Sequence, residues 1–89
     1  PPARPLLHQN FPNPFNPSTA IRFDLPVEGH ATVRVYDLLG REVAALADEV
    51  LPVGSYTRTF GGRAYASGVY VCRLQLQDYT QAIKLLLVR

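Results

Sequence analysis

The 89 residues contain no Met, no Trp and one Cys. A lone cysteine, Cys72, excludes an intramolecular disulfide, and with His8 and His30 as the only histidines no multi-cysteine metal pattern exists. No cofactor is expected. No apolar run exceeds five residues, against about 20 for a membrane-spanning helix, so no membrane span is expected, and no signal-peptide pattern is present. Charge is sparse too. Nine Lys plus Arg against seven Asp plus Glu leave a net charge of +2, well short of the clustered basic excess that binds a phosphate backbone, so no nucleic-acid partner is expected.

What is present is 47% apolar and 18% charged, a balance typical of a folded chain. A chain this short buries only about 60 to 65% of its unfolded surface, so its elements must share one core. Six of the eight prolines fall within the first 17 residues, where they remove backbone donors and fix φ. With no Met and an opening Pro1-Pro2, the chain is expected to be a piece of a larger protein ending at its natural C-terminus. Residues 1–5 read as a linker remnant and 6–89 as one domain. Phe11 and Phe15 are both expected to pack, with the asparagines between Asn10 and Asn16 closing local turns.

From Thr19 onward the apolar period is two. Ile21, Phe23 and Leu25 alternate with Arg22 and Asp24; Ala31, Val33 and Val35 alternate with Thr32, Arg34 and Tyr36. These two strands, separated by the turn-forming Pro26-Val27-Glu28-Gly29, are expected to be antiparallel neighbours. Asp37-Leu38-Leu39-Gly40 fits a type I turn into a short strand over about 41–46, with a loop after it. Gly54 to Phe60 is β-rich with an ambiguous inner face. Tyr70, Cys72, Leu74 and Leu76 share one face of the clearest strand, and Ile83, Leu85 and Leu87 turn inward in the last. The fold class is therefore all-β, an immunoglobulin-like antiparallel β-sandwich of about seven strands.

Catalytic constellations are missing. Ser18, Ser55 and Ser67 lack any nucleophile-elbow context, and most of the carboxylates sit beside turns, where acidic residues are ordinary. Sugar stacking by Tyr36, Tyr56, Tyr65 and Tyr79 would require them to face outward together. Arg22, Arg34, Arg58 and Arg73 read as a solvated face with cross-strand ion pairs rather than a basic stripe.

The stretch Gln9-Asn10-Phe11-Pro12-Asn13-Pro14-Phe15-Asn16-Pro17-Ser18-Thr19 resembles the opening of the C-terminal sorting domains, type A, of the type IX (Por) secretion system. Further blocks match in order: Val33 to Val43 with Tyr36-Asp37 and Gly40, then Gly54-Ser55-Tyr56, then Ala66-Ser67-Gly68-Val69-Tyr70, then Lys84 to Arg89. The sequence departs from the family's pattern at Gly61, at Cys72, and at Lys84, which stands alone where two adjacent basic residues are frequent.

The resemblance implies a non-catalytic module that directs a secreted, hydrolytic parent protein through the outer-membrane type IX translocon and mediates cell-surface attachment. It implies passage through the periplasm to the cell surface or the medium. The implied partners are the type IX secretion machinery and a surface sortase, with lipopolysaccharide after processing. Lys84, Leu86, Val88 and Arg89 are the expected recognition residues, engaged by strand addition at a sheet edge. Asn10, Pro12, Asn13, Pro14, Phe15, Tyr36, Asp37, Gly40, Gly54, Tyr56, Gly68 and Tyr70 are expected to be scaffold. A carbohydrate-binding module and a passive immunoglobulin-like spacer are the alternatives.

Overall fold

Alternating side chains need two facing layers to bury one face of every strand, and the chain builds them without a helix. The computed structural model describes residues 4–89; the start of the expected linker, residues 1–3, lies outside the described residues, while Pro5 is already buried. The strands are β1 (Leu6–Leu7), β2 (Ser18–Leu25), β3 (Gly29–Tyr36), β4 (Glu42–Leu51), β5 (Gly54–Gly61), β6 (Gly68–Leu76) and β7 (Tyr79–Leu87). One sheet has the order β1-β2-β5 and the other β4-β3-β6-β7, with every pairing between strands antiparallel. This is the immunoglobulin-like sandwich expected from the strand spacing.

Ile21, Phe23 and Leu25 of β2 and Phe60 of β5 face Ala31, Val33 and Val35 of β3 and Cys72, Leu74 and Leu76 of β6, with Leu85 and Leu87 of β7 closing one side. Each of the larger side chains contributes about 1.5 to 3 kcal/mol by leaving water. The ambiguous strand resolves: Phe60 is buried and Tyr56 stacks on Phe23 with ring centroids 5.5 Å apart. Tyr70 is buried and its hydroxyl donates to Ala66 O at 2.6 Å, a corner of the kind that fixes the entry to an immunoglobulin strand.

Three expectations need correction. The strands around Ile21–Leu25 and Ala31–Tyr36 do not pair as neighbours: β2 lies between β1 and β5 and β3 between β4 and β6, so the turn at residues 26–28 carries the chain from one sheet to the other. The strand predicted over 41–46 continues to Leu51, because pairing with β3 carries the Ala-rich stretch through register shifts at Val33/Arg34 and Val35/Tyr36 that its weak alternation does not reveal. Phe11 does not pack: it is 80% exposed, whereas Phe15 is 1% exposed. The lead-in runs antiparallel along β2 as far as Phe11, which pairs with Ala20, and then crosses to β7, where Phe15 pairs in parallel with Leu87. That crossing takes Phe15 into the core edge-on to Phe60, at 5.9 Å between centroids.

Candidate functional site

The last strand and the lead-in form one element. In β7 the even-numbered residues turn their backbone groups away from β6, which would leave a raw sheet edge. The lead-in closes its second half. Gln9 Nε2 donates to Lys84 O (2.9 Å), Leu86 N donates to Asn13 Oδ1 (2.9 Å), Phe15 N donates to Leu86 O (2.9 Å), and Val88 N donates to Phe15 O (3.0 Å). Strand addition at Lys84 to Val88 would therefore have to displace this strap.

The strap is itself pinned. Asn10 is buried, and its Nδ2 donates to Thr19 Oγ1 (3.0 Å) and to Pro12 O (3.2 Å), while Thr19 Oγ1 donates to the same Pro12 O at 2.8 Å. Asn10 thus closes the local turn that the sequence suggests, but Asn13 reaches a residue 73 positions away. Pro12 and Pro14 are exposed, and the Phe11-Pro12, Asn13-Pro14 and Asn16-Pro17 bonds are cis.

Of the expected recognition residues, Lys84 and Leu86 project from the outer face of the four-stranded sheet, and Val88 continues along the strap. Arg89 folds back instead: its amide donates to Ser67 Oγ (2.9 Å) and its Nη1 to Tyr65 O (2.8 Å). It borders a basic depression shared with Asn16, Pro17 and Arg63. A row across the sheet links Glu42, Tyr36, Val71 and Lys84 by direct pairing, and two residues further along, on the same face, Val69 lies opposite Leu86. Tyr36, expected to be scaffold, is therefore on the same surface as Lys84, with the Arg73 guanidinium 4.7 Å over its ring.

Asp37 and Gly40 shape the turn that follows. Asp37 Oδ1 accepts from Leu39 N (3.0 Å) and Arg41 N (2.9 Å), and Oδ2 from Arg41 Nε (2.8 Å). The Arg41 backbone N–H first, and then its side chain, hold the Asp37 carboxyl below its ordinary value. Gly40 sits at φ +82°, the left-handed region that glycine adopts without a side-chain clash. Gly54 and Gly68 open β5 and β6, and the Tyr56 hydroxyl donates to Pro52 O at 2.6 Å.

The four arginines form no stripe. Arg34 reaches Asp48 (2.9 Å) and Glu42 (3.5 Å), Arg58 reaches Glu49 (3.8 Å), Arg22 approaches Asp24 on its own strand, and Arg73 stacks on Tyr36. His8 and His30 hydrogen-bond Asp24 and Asp48 and, as the first cause in each case, draw those carboxyls below their ordinary value. Cys72 is buried, which pushes its thiol up to about 12. Among the described residues no group of His, Cys, Asp and Glu is arranged to hold a metal ion, and no helix is long and apolar enough to cross a membrane.

Two contributors to this end of the molecule escape the sequence reading. Gln9 carries no signal beyond its place in the motif. Gly62 reads as a strand breaker, yet a Cβ there would lie 2.8 Å from Leu87 Cδ2 and 3.2 Å from Pro17 O, so its missing side chain is what lets β7 and the strap close. Comparison with known proteins gives one family: the model described as "Secretion system C-terminal sorting domain" matches residues 9–89. No curated protein matches the chain.

Proposed function

Because this chain belongs to the family of type IX secretion C-terminal sorting domains, we propose that the type IX machinery reads it as a folded address, at the end of the sandwich where β7 meets the lead-in. A domain of this family is a non-catalytic sorting signal that interacts with that machinery and is exported to the cell surface or the extracellular medium. The single observation that carries the location is the strap. Four hydrogen bonds join residues 9–15 to Lys84, Leu86 and Val88, so the first and last matching segments of the family form one surface. With the β7 edge occupied, recognition falls on outward side chains: Lys84 and Leu86 beside Tyr36 and Val71, with Val88 and Arg89 at the corner.

In this reading residues 6–89 are the sorting module, residues 1–5 belong to the connection, and the cargo is a secreted hydrolase carrying its own active site. A surface sortase then removes the domain and joins the cargo to lipopolysaccharide. The carbohydrate-binding alternative gains no support from the tyrosines. Tyr56 and Tyr65 stack on Phe23 and Phe60, away from Tyr36, instead of forming an outward row.

The test fuses residues 1–89 behind a periplasm-directed fluorescent reporter in a type IX-competent bacterium. Deleting 84–89 would also remove the core residues Leu85 and Leu87, so the informative variant is K84E/L86S, which alters outward side chains only. Surface or medium reporter is expected for the parent fusion and periplasmic retention for the variant. Equal export of both would remove Lys84 and Leu86 from the recognised surface, and retention of a folded parent fusion would refute the sorting role.

A further inference from the structure

The turn between β3 and β4 is more firmly built than a connection requires. Besides the three hydrogen bonds to the Asp37 carboxylate, Asp37 N donates to Arg41 O (2.9 Å) and Gly40 N to Asp37 O (3.0 Å). The outcome of this rigidity is exposure: Leu38 is 73% and Leu39 77% exposed. Most of each side chain is in water, and the Asp37 network sets the backbone without them. Beside them lies a shallow depression of about 310 Å³ lined by Tyr36, Asp37, Leu38, Gly40, Val71 and Arg73. Val71 pairs with Lys84, so the depression is continuous with the surface assigned above. Among the described residues neither Arg73 nor Lys84 has a carboxylate within ion-pair distance.

We propose that this turn is a second docking element, which inserts Leu38 and Leu39 into an apolar pocket of a receptor protein of the type IX machinery whose rim carries carboxylates. The inference rests on the sorting role argued above and names a further part of its contact. Two apolar knobs on a preformed turn bind without losing much conformational freedom. A carboxylate rim is the complement of Lys84 and of Arg73, whose Nη2 donates to the Tyr36 hydroxyl (2.8 Å) but which meets no carboxylate among the described residues. A second copy of this chain is the competing occupant, which the test below separates by its concentration dependence.

The test uses the reporter fusion in four forms: parent, L38S/L39S, K84E/L86S, and V53S, which alters an exposed valine at the opposite end of the sandwich. L38S/L39S should unfold within about 2 °C of the parent, since both side chains are in water. Its surface reporter should fall at least about tenfold, the scale of one lost anchor, while V53S exports normally. An added pair, R73E and R73K, should lose and keep export respectively. Normal export of L38S/L39S while K84E/L86S is retained would overturn this inference and leave the sorting role standing; retention of the parent fusion would instead defeat the sorting role on which it depends. Unfolding of L38S/L39S would assign the leucines to stability and overturn it. So would concentration-dependent dimerisation of the parent chain that L38S/L39S abolishes, or binding to phosphatidylglycerol vesicles that L38S/L39S abolishes.

Discussion

The strap over residues 9–15 and the turn over residues 37–41 are both short, irregular segments ordered by side-chain amide or carboxylate oxygens accepting backbone N–H groups. They differ in where the ordering is directed. Asn13 and Phe15 fix the edge of another strand, and the apolar payload, Phe15, goes into the core. Asp37 fixes only its own turn, and the payload, Leu38 and Leu39, is held out in water. The same contrast appears within the strap, where Phe11 is exposed and Phe15 buried four residues later. Local hydrogen bonding of one kind thus serves stability in one place and presentation in another, and what separates the two is whether a neighbouring strand has an unpaired edge within reach.

This contrast can be broken in graded steps. Phe15→Ala should be the most damaging change, destabilising by about 3 to 5 kcal/mol because it leaves a cavity beside Phe60 that the strap cannot fill; chemical denaturation measures it. Phe11→Ala in the same experiment should change little. Asn13→Ala should cost about 1 kcal/mol through the loss of one partly exposed backbone hydrogen bond, with the fold intact by circular dichroism.

Smaller still is the acid response of the turn. The folded Asp37 carboxyl is held below its ordinary value of 3.8, so the unfolded chain binds more protons as pH falls. Its stabilisation is full above the unfolded value and is lost as pH drops through the folded one. The melting temperature should hold steady down to about pH 5 and fall below about pH 4, less steeply in Asp37→Asn. Asp24 and Asp48, lowered by His8 and His30 first, add slopes of the same sign, so part of the fall should persist in that variant. The least effect on stability belongs to L38S/L39S, within about 0.5 kcal/mol by the same denaturation assay, despite the loss of two leucines.

The sandwich itself was legible because strict alternation in Ile21 to Leu25, Ala31 to Tyr36 and Tyr70 to Leu76 commits each side chain to a face. Alternation also placed Lys84 and Leu86 outward. It could not separate Phe11 from Phe15, since their fates depend on the crossing from β2 to β7, which no local pattern encodes. Nor could it pair Asn13 with Leu86 across 73 positions, or show that Gly62 is required by the approach of Leu87. The full length of β4 was hidden by small alanines that fit either face.

The central claim, that the lead-in and the last strand are one element, is tested most directly by native-state amide exchange along β7. The Leu86 and Val88 amides should be protected, because Asn13 and Phe15 accept from them. The Ala82 amide, turned outward on the same strand with no backbone partner outside the strand pairings among the described residues, should exchange rapidly. Protection at Leu86 should disappear in Asn13→Ala while that at Leu85 remains. Exchange at Leu86 and Val88 as fast as at Ala82 in the unaltered chain would contradict the claim and leave β7 an open edge.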